Sequence, residues 1–92
     1  MNASDSVVKA ELLEAMEARR EIEFLLGEIE YRLEPDFDNG GYIVWQYLNG
    51  FRDGTGVIVA KVATSEEAFE ARCFDGKTLL EALKDAVNKY II

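Results

Sequence analysis

Glu28-Ile29-Glu30-Tyr31-Arg32-Leu33-Glu34 decides how this chain folds, because apolar Ile29, Tyr31 and Leu33 alternate with charged neighbours at every step. A period of two puts the apolar side chains on one face of a strand and the charges on the other. The competing reading carries the preceding helical pattern on to Leu33. Strict alternation favours the half-buried strand, and Pro35-Asp36-Phe37-Asp38-Asn39-Gly40-Gly41 then closes it with a run of turn formers.

Upstream, Ser4-Asp5-Ser6 can cap a helix in which Val8, Leu12, Ala15, Ile22 and Leu26 recur at spacings of three, four and seven. A first helix is therefore expected over residues 6–26, with Arg19 on its buried stripe and Gly27 as its stop. Downstream, Tyr42-Ile43-Val44-Trp45-Gln46-Tyr47-Leu48 is aromatic and β-branched on both faces, the mark of a central strand or of one whose outer face meets something. Residues 49–56 read as a hairpin loop, 57–63 as a strand and 67–74 as a further strand, although Thr64 and Glu67 can instead form a capping box on a short helix. Asp75-Gly76 is a turn, and Thr78 with Glu81 makes a capping box for a last helix carrying Leu79, Leu83, Ala86, Val87 and Tyr90 on one face. The expected fold is α+β: an N-terminal helix, an antiparallel three- to four-stranded meander and a C-terminal helix, both helices on one face of the sheet.

At 92 residues the chain has material for a single compact domain, residues 1–92, and its 49% hydrophobic content is enough to fold it. A domain of this size has a thin core and little room for a deep cleft, which favours work done at the surface. There is no His, which removes the usual general base and the commonest metal ligand, and the single Cys73 rules out an internal disulfide or a cysteine-only zinc site. Cys73 reads as a small core hydrophobe. Neither a signal-like N-terminus nor a long apolar run is visible, so a reducing cytoplasm is the expected setting.

Each motif has a plainer reading. Asp36, Asp38 and Gly41 have the opening spacing of an EF-hand loop, but Gly40 stands where an oxygen ligand is needed and Tyr47 where the bidentate Glu belongs, so a turn is expected. Gly76-Lys77-Thr78 resembles the end of a phosphate-binding loop, but the required earlier glycine is Ala71, and a helix cap accounts for it. No catalytic, cofactor-binding or metal-binding residue is assigned, and no cofactor is expected. An enzyme is not the reading.

Charge is the informative feature. The net charge is −8, and residues 1–38 hold eleven acids against four bases while residues 39–92 hold seven against six. This is the wrong sign for neutralising phosphates, so direct binding to duplex DNA is not expected. Glu14, Glu17 and Glu21 fall along one side of the expected helix, and Glu28, Glu30 and Glu34 on the outer face of the strand. Together they offer a surface complementary to a basic groove, with the aromatic residues Phe37, Tyr47 and Phe51 and the loop cation Arg52 as candidate anchors.

A short, acidic, compact chain with this helix–sheet–helix order and no His resembles the small inhibitor proteins of bacteriophages, in particular the anti-CRISPR class that disables type I surveillance complexes. The resemblance lies in length, charge and architecture and carries over no residue. It implies a non-enzymatic inhibitor, active in the bacterial cytoplasm as monomer or homodimer, that binds a CRISPR effector and blocks target-DNA binding. The alternative is a self-associating module in which the imperfect heptad of Val8, Leu12, Ala15, Arg19, Ile22 and Leu26 joins two copies and the acidic face is merely solvated.

Overall fold

A helix ends where its last carbonyls find other donors, and in this chain that happens at Glu17. The computed structural model describes residues 3–48 and 56–91, with side chains described for residues 7–48 and 56–86. Helix α1 spans Ala3–Glu17 and closes with a Schellman motif. Arg20 N–H donates to the Ala15 carbonyl and Arg19 N–H to the Met16 carbonyl, both at 3.0 Å. Arg19 takes the left-handed conformation at φ 59°, a place usually held by glycine. The first helix is thus shorter than the sequence pattern implies.

Residues 22–26 form strand β1 (Ile22–Leu26), burying Ile22, Phe24 and Leu26 on one face. Ile22 and Leu26 share a face in a helix and in a strand alike, since four is both one helical turn and two full pleats. Gly27, at φ 64°, belongs to the turn into β2 (Ile29–Pro35), not to a helix end. Strand β2 is the half-buried strand that its alternation predicts, with Tyr31 and Leu33 in the core.

Strands β3 (Tyr42–Tyr47) and β4 (Val57–Val62) complete an antiparallel meander. Phe51 and Arg52 lie outside the described residues. The strand expected over 67–74 is instead helix α2 (Ser65–Glu70), started by Thr64, whose side chain accepts from Glu67 N–H at 3.1 Å. Local capping chemistry wins here over an apparent alternation of Phe69, Ala71 and Cys73. Asp75 and Gly76, at φ 57° and 76°, make the tight turn between Phe74 and Lys77.

Helix α3 (Leu79–Asp85) begins at the capping box of Thr78 and Glu81. It stops two residues before β5 (Val87–Ile91), so Val87 and Tyr90, expected on the helix, belong to a strand. Strand β5 returns to pair antiparallel with β1, giving the sheet order β4-β3-β2-β1-β5.

The fold is α+β, with the helices on one face of the sheet. Leu12 and Met16 of α1, Ala68 and Phe69 of α2 and Leu79, Ala82 and Leu83 of α3 form one core with the sheet's Phe24, Tyr31, Leu33 and Val44. At its centre Phe24, Tyr31 and Phe74 pack as a ring triad with centroids 5.3 to 5.5 Å apart. Of the heptad expected for self-association, Leu12, Ala15, Ile22 and Leu26 are buried within the chain, while Val8 is 39% exposed and Arg19 half-buried.

Candidate protein-binding surface

Because the helices occupy one face of the sheet, alternation along β1 to β4 dictates what the other face shows. The register aligns Glu23, Arg32, Trp45 and Ile58 in one row across four strands, and Glu34, Ile43 and Lys61 in the next. Carboxylates therefore collect on the β1–β2 half and apolar side chains on the β3–β4 half. The two halves are stitched together at their seam. Arg32 Nε lies 2.9 Å from Glu23 Oε1 and 3.9 Å from Glu21 Oε2, with its guanidinium 5.6 Å from the Tyr47 ring centroid. Trp45 Nε1 donates to Glu34 Oε1, and the Trp45 and Tyr47 rings stack at 6.4 Å.

The acids singled out by sequence divide into three places. Glu14 and Glu17 are exposed on α1, where Glu14 borders a shallow depression of about 280 Å³ shared with Glu11, Ala15, Ala18 and Arg20. Glu21 does not continue that line. It follows the helix and joins Arg32 on the open sheet face. Glu28 stands exposed at the tip of the β1–β2 turn, while Glu30 and Glu34 are half-buried on the open face. Glu28 and Glu30 carry no ion pair among the described residues.

Of the aromatic anchors, Phe37 is 77% exposed at the β2–β3 turn, with the Arg19 guanidinium 5.3 Å from its ring. Tyr47 is no exposed anchor: it is 8% exposed, its ring pressed against Gly56, where a Cβ would stand 2.5 Å from Cε1. The sequence alone does not single out the side chains that complete the face, Glu23, Arg32, Ile43, Trp45 and Ile58. Their signal lay in the residues 42–48, apolar on both faces, but choosing the exposed face requires knowing where the helices pack.

The β2–β3 turn is held from inside. Asp36 Oδ1 accepts from the Asp38 and Asn39 amides at 3.2 and 3.1 Å, and Oδ2 from the Asn39 side chain at 3.2 Å. Burial alone would raise this carboxyl, but the Asn39 side chain, the two amides and the charge of Lys61 outweigh it and hold its pKa below the ordinary 3.8. Both oxygens are thus engaged in the turn, and no cluster of metal-ligating side chains occurs among the described residues. At the last helix, hydrogen bonds from the Thr78 backbone and side chain, with nearby Arg72, lower the Glu81 carboxyl in the same way. Burial pushes the Cys73 thiol up, as expected of a structural cysteine.

No helix among the described residues is long and apolar enough to cross a membrane. Compared with known proteins, the chain matches no family model, no curated protein and no solved structure.

Proposed function

We propose that this chain is a non-enzymatic inhibitor that binds a protein partner through the helix-free face of its sheet and the adjoining β1–β2 turn. The observation that carries this reading is the composition of that face: Glu28 and Glu30, without ion pairs among the described residues, beside half-buried Ile43 and Trp45 and 42% exposed Ile58. An acidic half beside an apolar half fits a partner surface rich in Lys and Arg with an apolar patch at its edge. The acids steer the encounter and set orientation, while the buried apolar contact slows dissociation.

Surfaces of that composition occur where proteins grip nucleic-acid backbones. The partner class is therefore a nucleic-acid-handling complex, with a type I CRISPR surveillance complex as the specific target in view of the anti-CRISPR resemblance. Occupying its basic channel would exclude target DNA by volume and by charge.

The test is target-DNA binding by a purified type I surveillance complex, measured with increasing amounts of the chain. Inhibition that weakens with added salt is expected, because exposed charges are screened within about 8 Å at physiological ionic strength. Glu28→Lys with Glu30→Lys should weaken inhibition at least tenfold. Glu66→Lys with Glu70→Lys, two exposed positions on α2, should leave it unchanged. Glu67 is no fair control, since its Oε2 accepts from Ala63 N–H at 2.8 Å. DNA binding undisturbed by excess chain, or equal losses from both pairs, would overturn the proposal.

A further inference from the structure

The sheet ends in two edge strands, β4 and β5, neither of which carries an acid. Strand β4 is the last strand of the order β4-β3-β2-β1-β5, and among the described residues no strand pairs with its outer side. Its six residues, Val57-Ile58-Val59-Ala60-Lys61-Val62, include four β-branched side chains and no acid. Val57 is 56% and Ile58 42% exposed, and the neighbouring Leu48 is 63% exposed. An uncovered, β-branched edge is a template for another strand.

We propose that β4 is the docking edge for a second copy of this chain, the two β4 strands pairing antiparallel about a two-fold axis. The register follows from a bulge. Val44 pairs with Ala60 but Trp45 pairs with Ile58, so Val59 is the extra residue, and like Ala60 and Val62 it packs against the core. Along β4 the helix-side positions are then Val57, Val59, Ala60 and Val62, and the open-face positions are Ile58 and Lys61. This pattern reads the same in both directions about the Val59–Ala60 bond. Antiparallel self-pairing with Val57 opposite Val62, Ile58 opposite Lys61 and Val59 opposite Ala60 matches every side chain to a partner on its own face. A shift of one residue sets Ile58 against the helix-side Val62 or Ala60 and fails.

Charge selects the occupant. Two chains of net charge −8 repel over most of their surfaces. The carboxylates of the sheet sit on β1 and β2, about two strand spacings or roughly 10 Å inward from β4. Edge-to-edge approach at β4 keeps those carboxylates apart and places the Lys61 stem over the partner's Ile58, with no like charges opposed. A basic strand from a foreign protein would meet Lys61 and find no acid on β4. The pairing is isologous and uses the same edge on both copies, so it closes as a dimer. The interface runs along the β4 edge of the open face and shares Ile58 with the surface proposed above, and the dimer would present two such faces on one continuous sheet.

The experiment is sedimentation of the full chain across micromolar to millimolar concentrations, with hydrogen exchange on the β4 amides. Expected are a mass rising toward that of a dimer, more so in high salt, where repulsion is screened, and outward-facing β4 amides whose protection grows with concentration. Ile58→Lys sets ammonium against ammonium twice across the axis and should weaken the dimer about tenfold, whereas Ile58→Glu faces the partner's Lys61 and should keep or tighten it. A purely structural effect of losing Ile58 would move both variants alike. A monomer at millimolar concentration in high salt, protection that does not vary with concentration, or equal losses in the two variants would overturn the proposal. The dimer is read by mass and amide exchange alone and inhibition by the Glu28 and Glu30 variants, so failure of either reading is distinguishable from failure of the other.

Discussion

Arg19 is the residue on which the first turn of the chain depends. It holds a left-handed conformation that costs a residue with a Cβ about 1 kcal/mol, and its guanidinium reaches the Gly41 and Asp36 carbonyls at 3.4 Å while lying 5.3 Å from the Phe37 and Tyr42 rings. Gly41 receives it from the opposite side at φ 77°, where a Cβ would collide with the Val62 carbonyl. Gly40, at φ 76°, faces open space. Gly40→Ala should therefore cost about 1 kcal/mol and Gly41→Ala clearly more, as read by urea unfolding, and equal costs would show that β4 does not constrain this turn. Asp36 gives the turn a pH dependence. Its pKa is depressed in the folded state, so the stability it supplies is full above the ordinary 3.8 and is lost as pH falls through the lower folded value. Asp36→Asn should lower stability at neutral pH and flatten the acid limb of the stability profile below about pH 4, measured by thermal melts at stepped pH.

At the scale of elements, the short helices stand on their caps. Seven-residue α3 is too short to form alone and relies on the reciprocal bonds of its capping box, Thr78 N–H to Glu81 Oε1 at 3.0 Å and Glu81 N–H to Thr78 Oγ1 at 3.3 Å. Thr78→Ala should cost about 1 kcal/mol, and adding Glu81→Ala should cost less than a second full increment, because the two bonds act as one unit. Denaturant unfolding of the two single variants and the double variant gives the coupling directly. The same capping starts α2 at Thr64 and Glu67, where the alternation favours a strand over 67–74. Strand β5 depends on a neighbour: five residues become a strand by pairing with β1, whose other side is already paired with β2.

The whole molecule has a radius of gyration of 12.3 Å, about the value for a compact domain of this length. Its net −8 is concentrated in the first 38 residues, which include α1, β1 and β2. Self-repulsion should therefore limit stability, and thermal melts in a potassium chloride series should show the midpoint rising with salt before levelling off. A midpoint that falls with salt would mean that the Arg32–Glu23 and Lys77–Asp85 pairs outweigh the net repulsion. The acidic asymmetry was legible in the sequence, but its division into a helix face, a turn tip and an open sheet face was not. Glu21 moved from helix to sheet because the helix ends at a Schellman motif centred on an arginine, which carries no glycine signal.

What the sequence determined by itself is much of what is local: strand β2 from its alternation, β3 and β4 from their β-branched and aromatic runs, the Thr78–Glu81 cap, the Asp75-Gly76 turn and the sign and placement of charge. These features act within a few residues, where propensity and side-chain hydrogen bonds choose the conformation. What only the tertiary structure decided is where period two and period 3.6 agree. Ile22 with Leu26 and Leu79 with Leu83 show the same four-residue spacing, yet the first pair lies on a strand and the second on a helix. β1 is a strand because β2 and β5 satisfy its backbone on both sides, and α3 is a helix because it is capped and packs its buried face on the sheet. The same packing covers one sheet face with helices and leaves the other open, a choice that no side-chain pattern within a single strand contains.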